Sequence, residues 1–164
     1  MPEVSEPAVV DARVVVDEFQ FVLQDGDGRV RVEAPEDNGL LSFEEEQFVC
    51  ILCGAHAGEA QVVVERHFDE PTADLASWED VAEFSVTTDQ GLRLGSLFGE
   101  PVSVPLLEQA RGELRVRVCA RGRLPSRDAF GYDEDSGPLL ESYAIQFWPA
   151  PAVPPRVLKG ATDH

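Results

Sequence analysis

Cys50-Ile51-Leu52-Cys53, with His56 three residues on, is the tightest grouping of reactive side chains in the chain. Two thiols so spaced serve redox exchange or form half of a zinc site. Redox use places a thiolate at a helix N-terminus, yet Phe48 to Leu52 is apolar on both faces, the pattern of an internal strand. Along a strand, residues three apart point to opposite faces, so the sulfurs diverge. A zinc site needs a second ligand pair, and none follows at metal spacing. Burial of Cys50 and Cys53 as small apolar groups is the better reading, and no metal is assigned.

Asp25 and Asp27 occupy the first and third positions of a calcium-loop pattern, with Glu36 at the twelfth. The pattern fails at its fifth position, Arg29, and at its sixth, where Val30 stands in place of the bending glycine. His67 lies on a strand with no nucleophile or second histidine nearby, which favours a structural role. Arg115, Arg117 and Arg121 repeat at every second or fourth residue, and acids on neighbouring strands are expected to face them; an anion site is the alternative. There is no Gly-x-Ser-x-Gly, no phosphate-binding loop and no His-Glu-x-x-His, and one of the three histidines is the terminal His164. No catalytic residue, cofactor or metal is therefore assigned, and the chain is read as a non-enzyme.

Charge is the stronger signal. The 164 residues carry 31 Asp and Glu against 13 Lys and Arg, a formal charge of -18, which opposes compaction by self-repulsion and attracts a cationic partner. Phosphate contacts need a basic face, so direct nucleic-acid binding is disfavoured. Three acidic patches are candidate partner-binding surfaces. The first is Asp133, Glu134 and Asp135 with Phe130 and Tyr132 as apolar anchors; the second is Glu44, Glu45 and Glu46; the third is Asp74, Glu79 and Asp80 beside Trp78.

The elements that must carry these groups are strands. Gly112 to Arg121 alternates strictly, with Leu114, Val116, Val118 and Ala120 on one face and Arg115, Arg117, Cys119 and Arg121 on the other, the pattern of a half-buried central strand. Further strands are predicted at Val14 to Gln24, from Val30, at Leu40 to Phe43, Phe48 to Leu52, Gln61 to Phe68, Val81 to Thr87, Leu92 to Leu94 and Tyr143 to Trp148, with Gly and Asp turn clusters between them. Pro101 to Pro105, bracketed by prolines, suits an edge. Asp69 to Asp80 reads as an acidic loop with room for one short helix, and the glycines at 54 and 58 suggest a hairpin of the flanking strands. About eight or nine short strands without a helical period predict an all-β antiparallel two-sheet sandwich with at most one short helix.

One domain is expected over residues 13–149, with 1–12 a flexible lead-in and 150–164 a proline-rich extended tail. The N-terminus is acidic, without the basic and apolar regions of a signal peptide, and no stretch approaches the ~18 apolar residues that span a bilayer. With three cysteines, an odd number, the expected compartment is the cytoplasm.

Val-Asp-Glu-Phe-Gln-Phe at 16–21, Gly-Leu-Leu-Ser-Phe-Glu at 39–44, Glu-Phe-Ser-Val-Thr-Thr-Asp-Gln-Gly-Leu-Arg-Leu-Gly-Ser at 83–96, and Val-Ser-Val-Pro ahead of Gly-Glu-Leu-Arg-Val-Arg-Val at 112–118 together resemble the competence protein ComJ family. The resemblance spans residues 14–121 and implies an intracellular inhibitor of a nuclease that acts in DNA uptake. The acidic stretch around 69–80 and the segment from Arg123 onward depart from it, and it transfers no contact residues. What it implies agrees with the charge: an acidic scaffold can fill a nuclease's basic cleft by presenting carboxylates where phosphates would lie. The expected function is thus binding and inhibition of a basic nuclease or toxin; the alternative is a small-ligand or metal-binding module.

Overall fold

The computed structural model describes residues 7–26, 31–44, 48–96, 99, 101–123 and 138–160, with 138–140 described in backbone only. Its strands are β1 (Ala8–Asp17), β2 (Gln20–Asp25), β3 (Arg31–Val32), β4 (Leu41–Glu44), β5 (Phe48–Leu52), β6 (Ala57–Arg66), β7 (Asp80–Thr88), β8 (Leu92–Gly95), β9 (Pro101–Val102), β10 (Gly112–Arg121), β11 (Pro138–Pro149) and β12 (Arg156–Lys159). The helix described is the single turn α1 (Pro105–Glu108), which buries Leu107. The all-β expectation holds, but the two-sheet sandwich does not. The strands form one sheet in the order β12-β7-β10-β11-β6-β1-β2-β5-β4, curled into a half-barrel. Right-handed twist lets a long sheet roll over its own core, so a second sheet is not needed to bury the inner faces.

That core runs through nearly every strand: Val14 and Val16, Phe21 and Leu23, Val49 and Ile51, Val62 and Val64, Phe84, Val116 and Val118, Ile145 and Phe147 all lie within one cluster. The inward faces alternate as the sequence pattern requires, and Phe21 meets Tyr143 edge-on at 5.0 Å between ring centroids. β10 is an interior strand, as its pattern required, and sits between β7 and β11. Pairing is not wholly antiparallel, however, since β11 runs parallel to β6.

The stretch read as one strand from Val14 to Gln24 is broken by a hairpin. Glu18 and Phe19 take φ of 52° and 66°, the left-handed pair that a two-residue turn of type I′ demands, with Asp17 facing Gln20 across it. Neither residue type favours that conformation; tertiary contacts impose it, since Phe19 exchanges backbone bonds with His56 and Cys53 and its ring packs on His56. Beyond this pair β2 leaves β1 and takes β5 on one edge and β8 on the other. The hairpin expected between the strands flanking residues 54–58 is likewise absent: β5 pairs β2 and β4, while β6 pairs β1 and β11. β1 starts at Ala8, within the predicted lead-in, and β12 lies in the predicted tail, where three residues past the last proline pair restore donors enough to join β7.

Buried ion pairs tie the sheet's two ends. Arg123, just after β10, donates to Asp80 Oδ2 at 2.7 Å and to the carbonyls of Gly39 at 2.8 Å and Leu52 at 3.2 Å, linking β7 to the β4–β5 end. Gly54 packs so closely there that a Cβ would lie 1.8 Å from the Arg123 carbonyl oxygen.

Candidate partner-binding face

The outward face of β10 is where the sequence placed its puzzle, a row of arginines. Each is now occupied. Glu83 of β7 lies opposite Arg117 in the register and splits its carboxylate, accepting from Arg117 Nε at 2.8 Å and from Arg115 Nε at 3.2 Å. Arg117 also lies over the Trp148 ring, 4.9 Å from its centroid, and Arg121 over Trp78 at 4.5 Å. A cation so packed is held by a carboxylate and by aromatic faces. Arg115 and Arg117, 5% and 2% exposed, are committed to Glu83 and to main-chain carbonyls and are not offered to an anion, whereas Arg121 is exposed.

The remaining guanidinium donors tie down two straps that cross this face. One is the acidic segment 67–79, held where Arg117 Nη1 donates to the Pro71 carbonyl at 2.9 Å and Arg121 Nη1 to the Ser77 carbonyl at 3.4 Å. The other is the segment 150–159, in which the Val153 and Pro154 carbonyls accept from Arg115 at 3.0 and 3.1 Å. Ser85 Oγ accepts from Val153 N, and Lys159 Nζ donates to the Leu75 carbonyl, joining strap to strap. Beneath them Val81, Cys119 and Ala144 form a second small apolar cluster covered by Trp78 and Leu158. The helix allowed for in residues 69–80 is absent; Asp74 instead closes a turn by accepting from Ser77 N at 3.1 Å, and the Ser77 hydrogen bonds hold its carboxyl below the ordinary value.

The outer surface of these straps mixes exposed acids, Asp69, Glu70, Asp74 and Glu79, with the exposed apolar side chains Phe68, Leu75, Val153 and Val157. Between the straps lies an open groove of about 520 Å³, with Glu70 and Val153 on its walls and Glu83, Arg115 and Trp148 along its floor. Of the nominated residues, Asp74, Trp78 and Glu79 come together here, Trp78 half-buried beneath Arg121 and Glu79 accepting from the Gly122 amide. Asp80 does not belong with them: it is 3% exposed, and the Arg123 ion pair commits it to the interior. Glu44 is exposed on β4, at the other end of the strand order. Glu45, Glu46, Phe130, Tyr132, Asp133, Glu134 and Asp135 lie outside the described residues. Phe68, Asp69 and Glu70, and the whole second strap, were missed by the sequence reading. The signal available was Phe68 beside two acids; the fold-back of residues 150–159 has none, because it is set by Arg115 reaching carbonyls far along the chain.

The reactive groups have structural surroundings. Cys53, one residue past the end of β5, belongs to the inner core cluster, and Cys50, within β5, does not. Burial pushes the Cys50 thiol up to about 12, aided by Glu44 and Asp37. Cys53 and the Tyr143 phenol are driven well above their ordinary values by burial, with Glu141 adding to both, so neither supplies an anion near neutrality. Glu141 itself accepts from the Gly54 and Ala55 amides and from the Tyr143 hydroxyl at 2.7 Å. His67 Nε2 meets Glu65 Oε1 at 2.8 Å, and Gln146 donates to the same oxygen. Among the described residues no three His, Cys, Asp or Glu side chains gather as metal ligands, and no helix is long and apolar enough to cross a membrane.

No protein-family model matches the chain, and no curated protein matches it in sequence. Solved structures do. ComJ from Bacillus subtilis, described as an inhibitor of the DNA-degrading activity of NucA, superposes with a TM-score of 0.57 at 8% identity, over 89% of this chain and 100% of that one. A protein described as Crocagin biosynthetic gene J gives 0.52 at 12% identity, over 90% of this chain and 100% of that one. The chain therefore resembles ComJ in fold, along the whole length of the ComJ chain.

Proposed function

We propose that the chain is a non-catalytic binding protein that inhibits a basic partner, a nuclease or nuclease toxin, acting in the cytoplasm as an inhibitor or immunity protein. The fold shared with ComJ, a nuclease inhibitor, across 89% of this chain carries the reading. Two features of the molecule support it. The interior is nearly neutral, since the buried charged groups described are four acids (Asp25, Asp80, Glu83, Glu141) and three arginines, so the net charge of -18 falls almost wholly on the remainder of the chain. The strap face adds exposed apolar anchors to exposed carboxylates, the mixture that lets an anionic surface be both steered to a basic cleft and held in it. Asp69, Glu70, Asp74 and Glu79 with Phe68 and Leu75 are the contact set this reading favours. The segment bearing Phe130, Tyr132, Asp133, Glu134 and Asp135 is proposed as a second contact on its composition, acids beside two aromatic anchors.

Capture on the immobilised protein at low salt, followed by a DNA-degradation assay, tests this. A basic nuclease should be retained, and its activity should fall to background at equimolar inhibitor. Retention of nothing basic, or a retained nuclease that still degrades DNA at molar excess of this protein, overturns it. The variant D69N/E70Q/D74N/E79Q should fold normally, associate at least about tenfold more slowly and lose much of the salt dependence of association.

A further inference from the structure

Among the described residues, β1 has one edge fully paired and one edge paired only at its end, with β8 and β9 approaching β1 but not pairing with it. All ten residues from Ala8 to Asp17 face β6, whereas on the opposite edge the described pairing is Asp17 with Gln20 alone, because β2 turns away to take β8 on that side. The two-residue turn at Glu18 and Phe19 makes Asp17 and Gln20 a hydrogen-bonded pair, so the amide and carbonyl of Asp17 point away from β6. Alternation then sends the backbone groups of Val15, Arg13, Asp11 and Val9 to the same bare edge, while their side chains stand exposed on the outer face. A row of unpaired donors and acceptors is a template for another strand.

The residues along that edge name the occupant. Val9-Val10-Asp11-Ala12-Arg13-Val14-Val15 reads the same in both directions about Ala12, apart from an acid that exchanges with a base. Laid antiparallel against itself with Ala12 on the two-fold axis, it sets Val9 opposite Val15, Asp11 opposite Arg13 and Val10 opposite Val14 of the second copy, and each pair recurs by symmetry. Val9 and Val15 are 57% and 54% exposed in the single chain, so this register would cover them. The pairs Val9 with Val15 and Asp11 with Arg13 are also those whose amides face the bare edge, so register, hydrogen bonding and charge agree. Arg13 meets Glu59 of its own chain at 3.4 Å yet its side chain stays 76% exposed, so it remains within reach of Asp11 of a second copy.

We propose that β1 pairs antiparallel with β1 of a second copy, joining two half-barrels into one continuous sheet with Ala12 on the axis. This does not depend on the nuclease reading, and it leaves the strap face open.

The test is sedimentation of the full chain over a range of concentrations at about physiological ionic strength, where charges beyond ~8 Å are screened. The expected result is a reversible doubling of mass, with the Val9, Asp11, Arg13 and Val15 amides gaining hydrogen-exchange protection as concentration rises. Asp11→Arg and Arg13→Asp alone each place like charges opposite one another twice, and each should raise the dissociation constant at least about tenfold. The double exchange D11R/R13D restores opposite charges in every pair and should restore the dimer. Both substituted positions are exposed, so folding is a separate readout from mass in all three variants. A chain that stays monomeric, a dimer indifferent to the single exchanges, or a double exchange that fails to rescue would each overturn the proposal. So would pairing of this edge with a strand of a different protein only.

Discussion

Removing the charge of Glu83 while keeping its shape is the sharpest perturbation the fold offers. Glu83→Gln leaves Arg115 and Arg117 buried with no carboxylate between them, where the native arrangement sets one carboxylate against two guanidinium groups at 3.2 and 2.8 Å. Glu83 is 6% exposed, so its carboxylate is largely withdrawn from solvent. Breaking a buried pair in this way costs about 3–5 kcal/mol, a large share of the roughly 5–15 kcal/mol that holds a domain folded. With a urea slope of about 2 kcal/mol per molar, the unfolding midpoint should drop by roughly 1.5–2.5 M. Both tryptophans of the chain, Trp78 and Trp148, carry an arginine on their rings, so intrinsic fluorescence reports this region directly. A companion variant, E83M/R115M/R117M, separates two contributions. It removes every buried charge of the triad and so should lose less stability than Glu83→Gln alone. It also deprives the Pro71, Val153 and Pro154 carbonyls of their donors, so proteolytic nicking within 67–79 and 150–159 should rise under native conditions. A midpoint that moves less than about 0.5 M in Glu83→Gln, or straps that stay resistant in the triple variant, would refute the argument that this carboxylate and its arginines pin the face together.

At Gly54 the added methyl of alanine would meet the Arg123 backbone rather than a flexible side chain, so Gly54→Ala should cost about 3 kcal/mol or more; thermal unfolding within about 1 kcal/mol of the parent would disprove the close approach. The buried thiols set an alkaline limit. Cys50 and Cys119 are raised from 9.0 to about 12, chiefly by burial, so below pH 9 both folded and unfolded chains keep these protons, and above it the unfolded chain releases them first. Stability is full below pH 9 and should fall as pH rises from 9 toward 12, by up to about 1.4 kcal/mol per pH unit for each thiol. Denaturant midpoints at pH 8, 9 and 10 check the slope, and C50A/C119A should reduce it, leaving the share of Cys53, whose thiol burial also raises.

Local pattern reached the strands and stopped at their partners. The alternation of Gly112 to Arg121 located β10 to the residue, and its outward arginines required acids beside them, which Glu83 supplies from β7. Period-two patterning states which side chains share a face but not whether the opposite face meets a second sheet, a strap or the same sheet curled back, and so the sandwich was a natural error. Glu18 and Phe19 gave no turn signal because their left-handed backbone is imposed by His56 and Cys53, more than thirty residues away. Asp80 looked like one of a row of surface acids since nothing local separates it from Glu79; the alternation of β7 does, turning Asp80 toward Arg123 and leaving Glu79 outside. The acidic strap was legible as composition and illegible as position, because its anchors are single hydrogen bonds from β10.

The arginines of β10 explain how so acidic a chain can fold and still present its acids. An outward row of aliphatic residues on β10 could have packed the straps by area alone, but it would have offered nothing to the main-chain carbonyls of Pro71, Val153 and Pro154, which are buried when a loop crosses a sheet. Guanidinium groups satisfy these carbonyls and share Glu83, so the loops lie flat with their backbone acceptors occupied and their carboxylates turned to water. The consequence is an asymmetric half-barrel. At β7, β10 and β11 both faces are covered and the acidic strap lies in the covering, whereas the outer face of β1 leaves Val9, Asp11, Arg13 and Val15 exposed. The residues of the proposed partner face, Asp69, Glu70, Asp74 and Glu79, and those of the proposed β1 edge, Val9, Asp11, Arg13 and Val15, do not overlap, so the two proposals are tested separately.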